Sequence, residues 1–324
     1  RQNSLRSRKL KNIQADIKSG NFKQVYLLYG EEAYLKQQYK QNLVKALNPD
    51  GDTMNFNHYE GKGIDVKQLI DLCETMPFFA ERRVVLLEDT GFFKNKCEEL
   101  ADYMKELPDY LYLVFAETEV DKRNRMYKAV KACGSIAEFI RQDEKTLMRW
   151  AAGILGKAGK KITQRDMELL LTKTGTDMGN LRMEMEKLIS YTEGRDVVTA
   201  EDIEEICTTQ TTNRIFDMVR AVTEKNQKRA LELYYDLLTL KEPPMRILFL
   251  LAKQYRQLLL AKQFAAAGLA QTEIASKLGV PGFVVRNITT CARAYTISEL
   301  EQAVKDFVDA EESVKTGRLE DKLS

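Results

Sequence analysis

From about residue 10 to residue 142 the chain alternates short apolar runs of strand length with longer amphipathic runs, and beyond Arg141 the strand-like runs stop. Val25–Tyr29, Arg83–Leu87 and Tyr110–Ala116 read as buried strands, apolar throughout and bounded by turn or charged residues. Thr53–Glu60 alternates weakly, as a strand with one wetter face does, and Ser135–Ile140 is a last strand. Between them Glu31–Leu47, Asp65–Thr75, Lys94–Leu107 and Lys122–Cys133 carry helical periodicity, with Asp65 placed as an N-cap. Strand and helix alternating at this spacing means crossover connections, hence a mostly parallel sheet covered by helices on both faces.

After Arg141 every periodic segment is helical. Glu144–Lys157, Gln164–Thr174, Met178–Thr192 and Ala200–Cys207 form a first group, punctuated by Gly156, Gly159, Gly175 and Gly194. Thr199 with Asp202 three residues on opens the fourth helix in the manner of a capping box. A longer array begins near Thr211, in which Pro243-Pro244 starts a helix with the apolar face Ile247, Leu250, Leu251 and Leu258 around Gln254. The expected organisation is a basic leader over 1–11, an α/β domain over 12–142, a small helical domain over 143–210 and a second helical domain over 211–324. The leader carries Arg1, Arg6, Arg8, Lys9 and Lys11 without an acid; it has no apolar segment of the kind export requires, and a vector-derived origin fits it. A length of 324 residues suits about two or three domains.

The chemistry open to such a chain is narrow. Fifty basic and 48 acidic residues leave a net charge of +2, so no uniform field draws nucleic acid or membrane to the whole molecule. Five dispersed cysteines contain no Cys-x-x-Cys pair, which argues against a zinc ribbon or dithiol site and fits a reducing compartment. His58 is the only histidine, so neither a His-rich metal site nor a nucleophile–His pair has its parts. No metal or cofactor is expected, and no run of about 18 apolar residues is present to span a membrane. Glu31-Glu32, Glu98-Glu99, Glu204-Glu205 and Glu311-Glu312 fall on helical segments, where solvation explains paired carboxylates.

A parallel sheet whose first strand ends in glycine invites comparison with phosphate-binding loops. Such a loop needs G-x-x-x-x-G-K-[ST], so that backbone N–H groups close on phosphate, Lys reaches the terminal phosphates and a hydroxyl holds Mg²⁺. Here the strand runs into Gly30-Glu31-Glu32-Ala33-Tyr34-Leu35-Lys36, with no second glycine, no Lys-Ser or Lys-Thr pair, and two carboxylates in the way. Val84-Val85-Leu86-Leu87-Glu88-Asp89 imitates the apolar strand and acid that position Mg²⁺, a pattern many buried strands share. The scaffold reads as one that has lost its phosphate site.

Seven segments in order carry a family resemblance: Val25-Tyr26-Leu27-Leu28-Tyr29-Gly30-Glu31-Glu32 with Tyr34-Leu35; Met76-Pro77-Phe78-Phe79-Ala80-Glu81-Arg82-Arg83-Val84-Val85; Asp121-Lys122-Arg123; Gly175-x-Asp177 leading to Glu186-Lys187-Leu188; Ile215-Phe216-Asp217; Leu278-Gly279-Val280; and Glu312-x-x-Lys315-x-Gly317. Together they resemble the bacterial DNA polymerase III delta subunit, over nearly all of the chain beyond the leader. The resemblance implies an AAA+-like α/β domain without a working phosphate loop, a small helical lid and a helical collar. It implies a cytoplasmic, non-catalytic clamp-loader subunit that binds and opens the β sliding clamp for loading onto primed DNA and binds no ATP. Its implied neighbours are the gamma/tau and delta-prime subunits, with primer-template DNA inside the assembly. The apolar pair Phe78-Phe79, introduced by Met76-Pro77 and followed by Glu81-Arg82-Arg83, is the clamp-binding tip on this reading. Lys122, Arg123, Arg125, Lys128 and Lys131, with Lys315 and Arg318, are candidate contacts to DNA phosphate.

Residues 271–294 offer a different reading. Gln271–Val280 followed by Phe283-Val284-Val285-Arg286 has the outline of a helix-turn-helix, which makes a DNA-binding regulator the alternative. Against it, the second helix presents only Arg286, Asn287 and Arg293 to base edges. Trp150 is expected in the core of the small helical domain, and Tyr26, Tyr29 and Tyr34 in packing.

Overall fold

The computed structural model describes residues 12–209 and 211–318. The leader over 1–11 therefore lies outside the described residues. The chain divides into two compact units, Arg1–Gln142 and Asp143–Ser324.

In the first unit a helix over residues 12–19 (α1) precedes β1 (Val25–Tyr29), α2 (Ala33–Leu47), β2 (Phe56–Glu60), α3 (Val66–Glu74), β3 (Arg83–Glu88), α4 (Glu98–Tyr103), β4 (Leu111–Glu117), α5 (Arg125–Cys133) and β5 (Ser135–Glu138). The strands form one sheet in the order β2-β3-β4-β1-β5, and every pairing is parallel. Leu27 of β1 lies level with Phe115 on one side and Ile136 on the other.

Successive side chains of a strand point to opposite faces, and β1 shows what that requires here. Val25, Leu27 and Tyr29 join one core with Phe93, Phe115 and Met126. Tyr26 and Leu28 join another with Leu43, Leu47 and Phe139. All five residues of β1 are buried, so the strand is apolar at every position. The edge strand β2 is only partly covered, which accounts for its weaker alternation.

Asp65 caps α3 as expected, its Oδ1 accepting from the N–H groups of Lys67 and Gln68 at 2.9 and 3.2 Å. Two helices are shorter than their periodicity suggested. α4 covers only Glu98–Tyr103; ahead of it the chain turns, Lys94 and Asn95 N–H both donating to Gly91 O, with Phe92 and Phe93 in the core. α5 starts at Arg125, because the side chain of Asn124 caps it by accepting from Met126 N–H at 2.8 Å. Glu32, read as part of a solvated helical pair, is buried at the position preceding α2.

The second unit comprises α6 (Glu144–Lys157), β6 (Lys161–Ile162), α7 (Gln164–Thr174), α8 (Met178–Tyr191), β7 (Val197–Val198), α9 (Ala200–Ile206), α10 (Thr211–Thr223), α11 (Gln227–Thr239), α12 (Pro244–Ala266), α13 (Gln271–Leu278), α14 (Gly282–Ala292) and α15 (Ile297–Lys315). The expectation of helices alone fails at β6 and β7, which pair in parallel over two residues each; so short a ladder leaves no periodicity to read. The capping box of Thr199 and Asp202 is present. Leu155, Leu170, Leu181, Met185, Leu188 and Ile203 share one core, against which Trp150 packs half-buried. Tyr255, Leu258, Ile274, Val285, Ile288 and Leu300 share another. Among the described residues no helix is long and apolar enough to cross a membrane.

Gly30 holds the turn out of β1. Its φ is 124°, and a Cβ there would stand 2.1 Å from the carbonyl oxygen of Phe139. Neither the dihedral nor the backbone neighbour can relax cheaply. Gly30→Ala is expected to destabilise the first unit by at least about 2 kcal/mol in urea unfolding; a smaller loss would show that the segment after β5 yields.

Candidate protein-docking loop

The segment joining α3 to β3 is an exposed apolar tip. Met76 is 74%, Phe78 58% and Phe79 95% exposed, and Pro77 is half-buried. The rings of Phe78 and Phe79 meet edge to face, 4.5 Å between centroids and 79° between planes. Phe79 has a φ of 49°, a left-handed conformation that costs a bulky residue on the order of 1–3 kcal/mol. Phe79 lies almost wholly in solvent and Phe78 mostly so, which makes this loop a candidate docking surface.

Polar side chains hold the tip in place. Tyr110 OH donates to Glu74 O at 2.8 Å. Arg83, buried at the start of β3, donates from Nε to Thr75 O at 2.8 Å, from Nη2 to Met76 O at 3.3 Å and from Nη1 to Asn57 Oδ1 at 3.2 Å. Asn55, just ahead of β2, donates from Nδ2 to Phe78 O at 2.8 Å and accepts from Phe78 N–H at 2.7 Å. Arg82 stacks over Phe22 and Tyr112 on the far side. The main chain from 74 to 78 is thus fastened to the sheet while the rings point outward. Met54, beside Asn55, is a further exposed apolar side chain, 65% accessible. Sequence reasoning missed both: Asn55 acts on a residue 23 positions away, and nothing local marks it.

The turn after β1 lies at the opposite, carboxyl-terminal edge of the sheet. There Gly30 N–H donates to Glu117 O at 3.3 Å and Glu32 N–H donates to Phe139 O at 3.1 Å. Lys36, six residues after Gly30, donates to Glu117 O at 3.0 Å, and burial lowers its pKa despite Asp89, Glu117 and Glu88. Glu88 is held by Lys40 at 2.6 Å and His58 at 2.9 Å. Asp89 accepts from Thr118 N–H at 2.7 Å. Glu117 is buried and accepts from the Thr90 hydroxyl and N–H at 2.6 and 3.1 Å; burial raises its pKa in spite of those bonds. The N–H groups of Gly30 and Glu32, the Lys36 ammonium and the carboxylates of Glu88, Asp89 and Glu117 thus all have partners within this unit. Among the described residues no cluster of His, Cys, Asp or Glu has the geometry of a metal site.

The candidate phosphate contacts are scattered and mostly matched by acids. Lys122 pairs with Glu138 at 2.9 Å, Arg123 with Asp121 at 3.1 Å and Arg125 with Asp102 at 2.7 Å. Lys128 and Lys131 are exposed along α5. In the second unit Lys315 pairs with Glu311 at 2.5 Å and Arg318 with Glu312 at 3.1 Å. The helix-turn-helix outline is met in shape: Gly279 ends α13 in the left-handed conformation, with α14 following. Yet Val285, Ile288, Cys291 and Ala292 of α14 are buried in the core, and Arg286 reaches Glu168 at 3.4 Å. The apolar face of α14 is spent on packing, while Arg286, Asn287 and Arg293 lie on its exposed face.

A family model described as DNA polymerase III, delta subunit, matches residues 26–139, and one described as the delta subunit's C-terminal domain matches residues 212–324. The DNA polymerase III subunit delta of Bacillus subtilis is 26% identical over 325 residues, covering 96% of this chain and 93% of that protein. A probable DNA polymerase III subunit delta of Aquifex aeolicus is 22% identical over 270 residues, 79% of this chain and 75% of that protein. Among solved structures, the Bacillus subtilis DNA clamp loader delta protein superposes with a TM-score of 0.64 at 24% identity, over 96% of this chain and 95% of that one.

A buried carboxyl whose folded pKa is raised ionises later than it does in the unfolded chain. Stability therefore falls as pH rises through the ordinary carboxylate value and levels off above the folded one. Glu117→Gln keeps the acceptor and loses the charge. The stability of the variant relative to the parent, followed by urea unfolding, is expected to climb across that window; a relative decline would mean that the folded site prefers the carboxylate.

Proposed function

This chain belongs to the DNA polymerase III delta subunit family, and we propose that within the clamp loader it binds the ring-shaped β sliding clamp through Phe78 and Phe79 and opens it. The observation that carries this reading is the tip itself: two rings out in solvent, on a strained backbone, fastened from behind by Asn55 and Arg83. Met76 and Pro77 extend the same apolar surface. The partner it suits presents an apolar pocket, since burying one Phe side chain is worth roughly 1.5–3 kcal/mol and central aromatic anchors dominate interfaces of this kind.

The subunit is a non-catalytic member of the DNA polymerase III complex. On our reading it handles no ATP, because the turn after β1 spends its N–H groups on Glu117 and Phe139, and Lys36 on Glu117. The gamma/tau subunits handle ATP beside it, with delta-prime completing the assembly, in the bacterial cytoplasm. Primer-template DNA is met inside that assembly. Lys122, Arg123, Arg125, Lys128, Lys315 and Arg318 are the residues proposed to face its backbone; their acidic neighbours keep the isolated subunit's affinity low.

Phe78→Ala/Phe79→Ala is expected to lower affinity for a bacterial sliding clamp by two orders of magnitude or more, since roughly 3–6 kcal/mol of burial is lost, with the circular dichroism spectrum unchanged. Retained affinity in the double variant would discard the tip. Equilibrium dialysis against ATP should show no binding, and filter binding to primed DNA at about 0.15 M salt should be weak; saturable ATP uptake or tight DNA binding by the isolated chain would contradict those two parts.

A further inference from the structure

The tip is set by a chain of polar contacts that begins a whole helix away. Asn48, the residue ending α2, accepts from Asp52 N–H through Oδ1 at 3.0 Å and donates from Nδ2 to Asp52 O at 2.9 Å. The Asp52 carboxylate accepts from Met54 N–H at 2.8 Å and from Asn55 Nδ2 at 2.5 Å. Asn55 then grips both the N–H and the carbonyl of Phe78. Its own carbonyl accepts from Val84 N–H at 2.9 Å, which ties it to β3.

Three features single out Asn55 within that relay. It is buried, 3% exposed, whereas the rings it serves are in solvent. Its amide makes the reciprocal pair of bonds that another strand's main chain would make, at the amino end of the edge strand, just before β2 begins. And Phe78 is the residue before the left-handed Phe79, so fixing both polar groups of Phe78 fixes the direction in which the Phe79 ring leaves the backbone. A side chain needs both an acceptor and a donor at one end to do this, and Asn supplies both. Binding through exposed rings loses rotational and loop freedom unless the loop is already ordered, so a pin of this kind raises affinity without touching the partner.

We propose that Asn55 is a positioning residue for clamp docking, holding the Phe78–Phe79 tip in its binding geometry through the Phe78 main chain. This inference rests on the docking role of the tip. Asn55→Asp keeps the acceptor for Phe78 N–H but loses the donor to Phe78 O and sets a second carboxylate against Asp52. Asn55→Ala removes both bonds.

The test measures sliding-clamp affinity of the full chain well below its unfolding temperature, for Asn55→Ala, Asn55→Asp, Phe78→Ala/Phe79→Ala and the triple variant. It also measures amide hydrogen exchange at Phe78. Expected are an affinity loss of tenfold or more in each Asn55 variant, faster exchange at Phe78 in Asn55→Ala, retained protection there in Asn55→Asp, and no further loss when Asn55→Ala is added to the double variant. That last non-additivity is what a general fold defect would not produce. Full affinity in both Asn55 variants, with the double variant still defective, overturns the pin alone. An additive loss in the triple variant overturns it as well. Full affinity in all of them overturns the docking reading and the pin with it.

Discussion

Burial of β1 on both of its faces is the constraint from which the rest of the first unit follows. A strand flanked by β4 and β5 and covered by two separate cores has to be joined to parallel neighbours by helices. That arrangement gives the sheet two functionally distinct edges, about 17 Å apart for strands of five residues. Turns that leave strands gather at the carboxyl edge, where ligands of open α/β sheets bind. Turns that enter strands gather at the other.

The two edges have been used in opposite ways. At the carboxyl edge the chain is closed upon itself: Phe139 sits against Gly30, Lys36 reaches a carbonyl of Glu117, and Glu88 is clasped by Lys40 and His58. The polar groups at that edge make their contacts within the unit. At the amino edge the loop between α3 and β3 does the reverse, pairing its backbone with buried Arg83 and Asn55 and giving its apolar side chains to solvent. Satisfying the backbone first is what lets a loop expose aromatic rings without collapsing onto them, since an unpaired buried N–H or carbonyl costs about as much as a lost hydrogen bond.

Much of this was legible in the chain. The strand runs Val25–Tyr29 and Arg83–Leu87, the cap at Asp65 and the box at Thr199 and Asp202 are local signals, set by side-chain periodicity and by bonds spanning two or three residues. The pair Phe78-Phe79 stood out because Pro77 and the charges at Glu81, Arg82 and Arg83 isolate it from either neighbouring element. Less was legible where the partner lies far off. Lys94–Leu107 has helical spacing, but its first residues are taken up by a turn closed on Gly91 O, and α4 has six residues. The β6–β7 ladder is two residues long and depends on segments 36 positions apart. Glu32 looked like half of a solvated pair until the segment after β5 closed over it.

Sequence alone determined the class of the fold and the end of the five-stranded sheet near Arg141, because both are written in residue types spaced by the period of one helix or one strand; it also set the apolar pair Phe78-Phe79 apart from its neighbouring elements, through Pro77 before it and the charges after it. Only the tertiary structure decided which way the tip faces, what holds it there and how the carboxyl edge is filled. Those outcomes depend on Asn55 meeting Phe78, Arg83 meeting Thr75 and Phe139 meeting Gly30. Contacts of that kind are made by the sheet's strand order, which brings distant residues side by side and leaves no local trace in the chain.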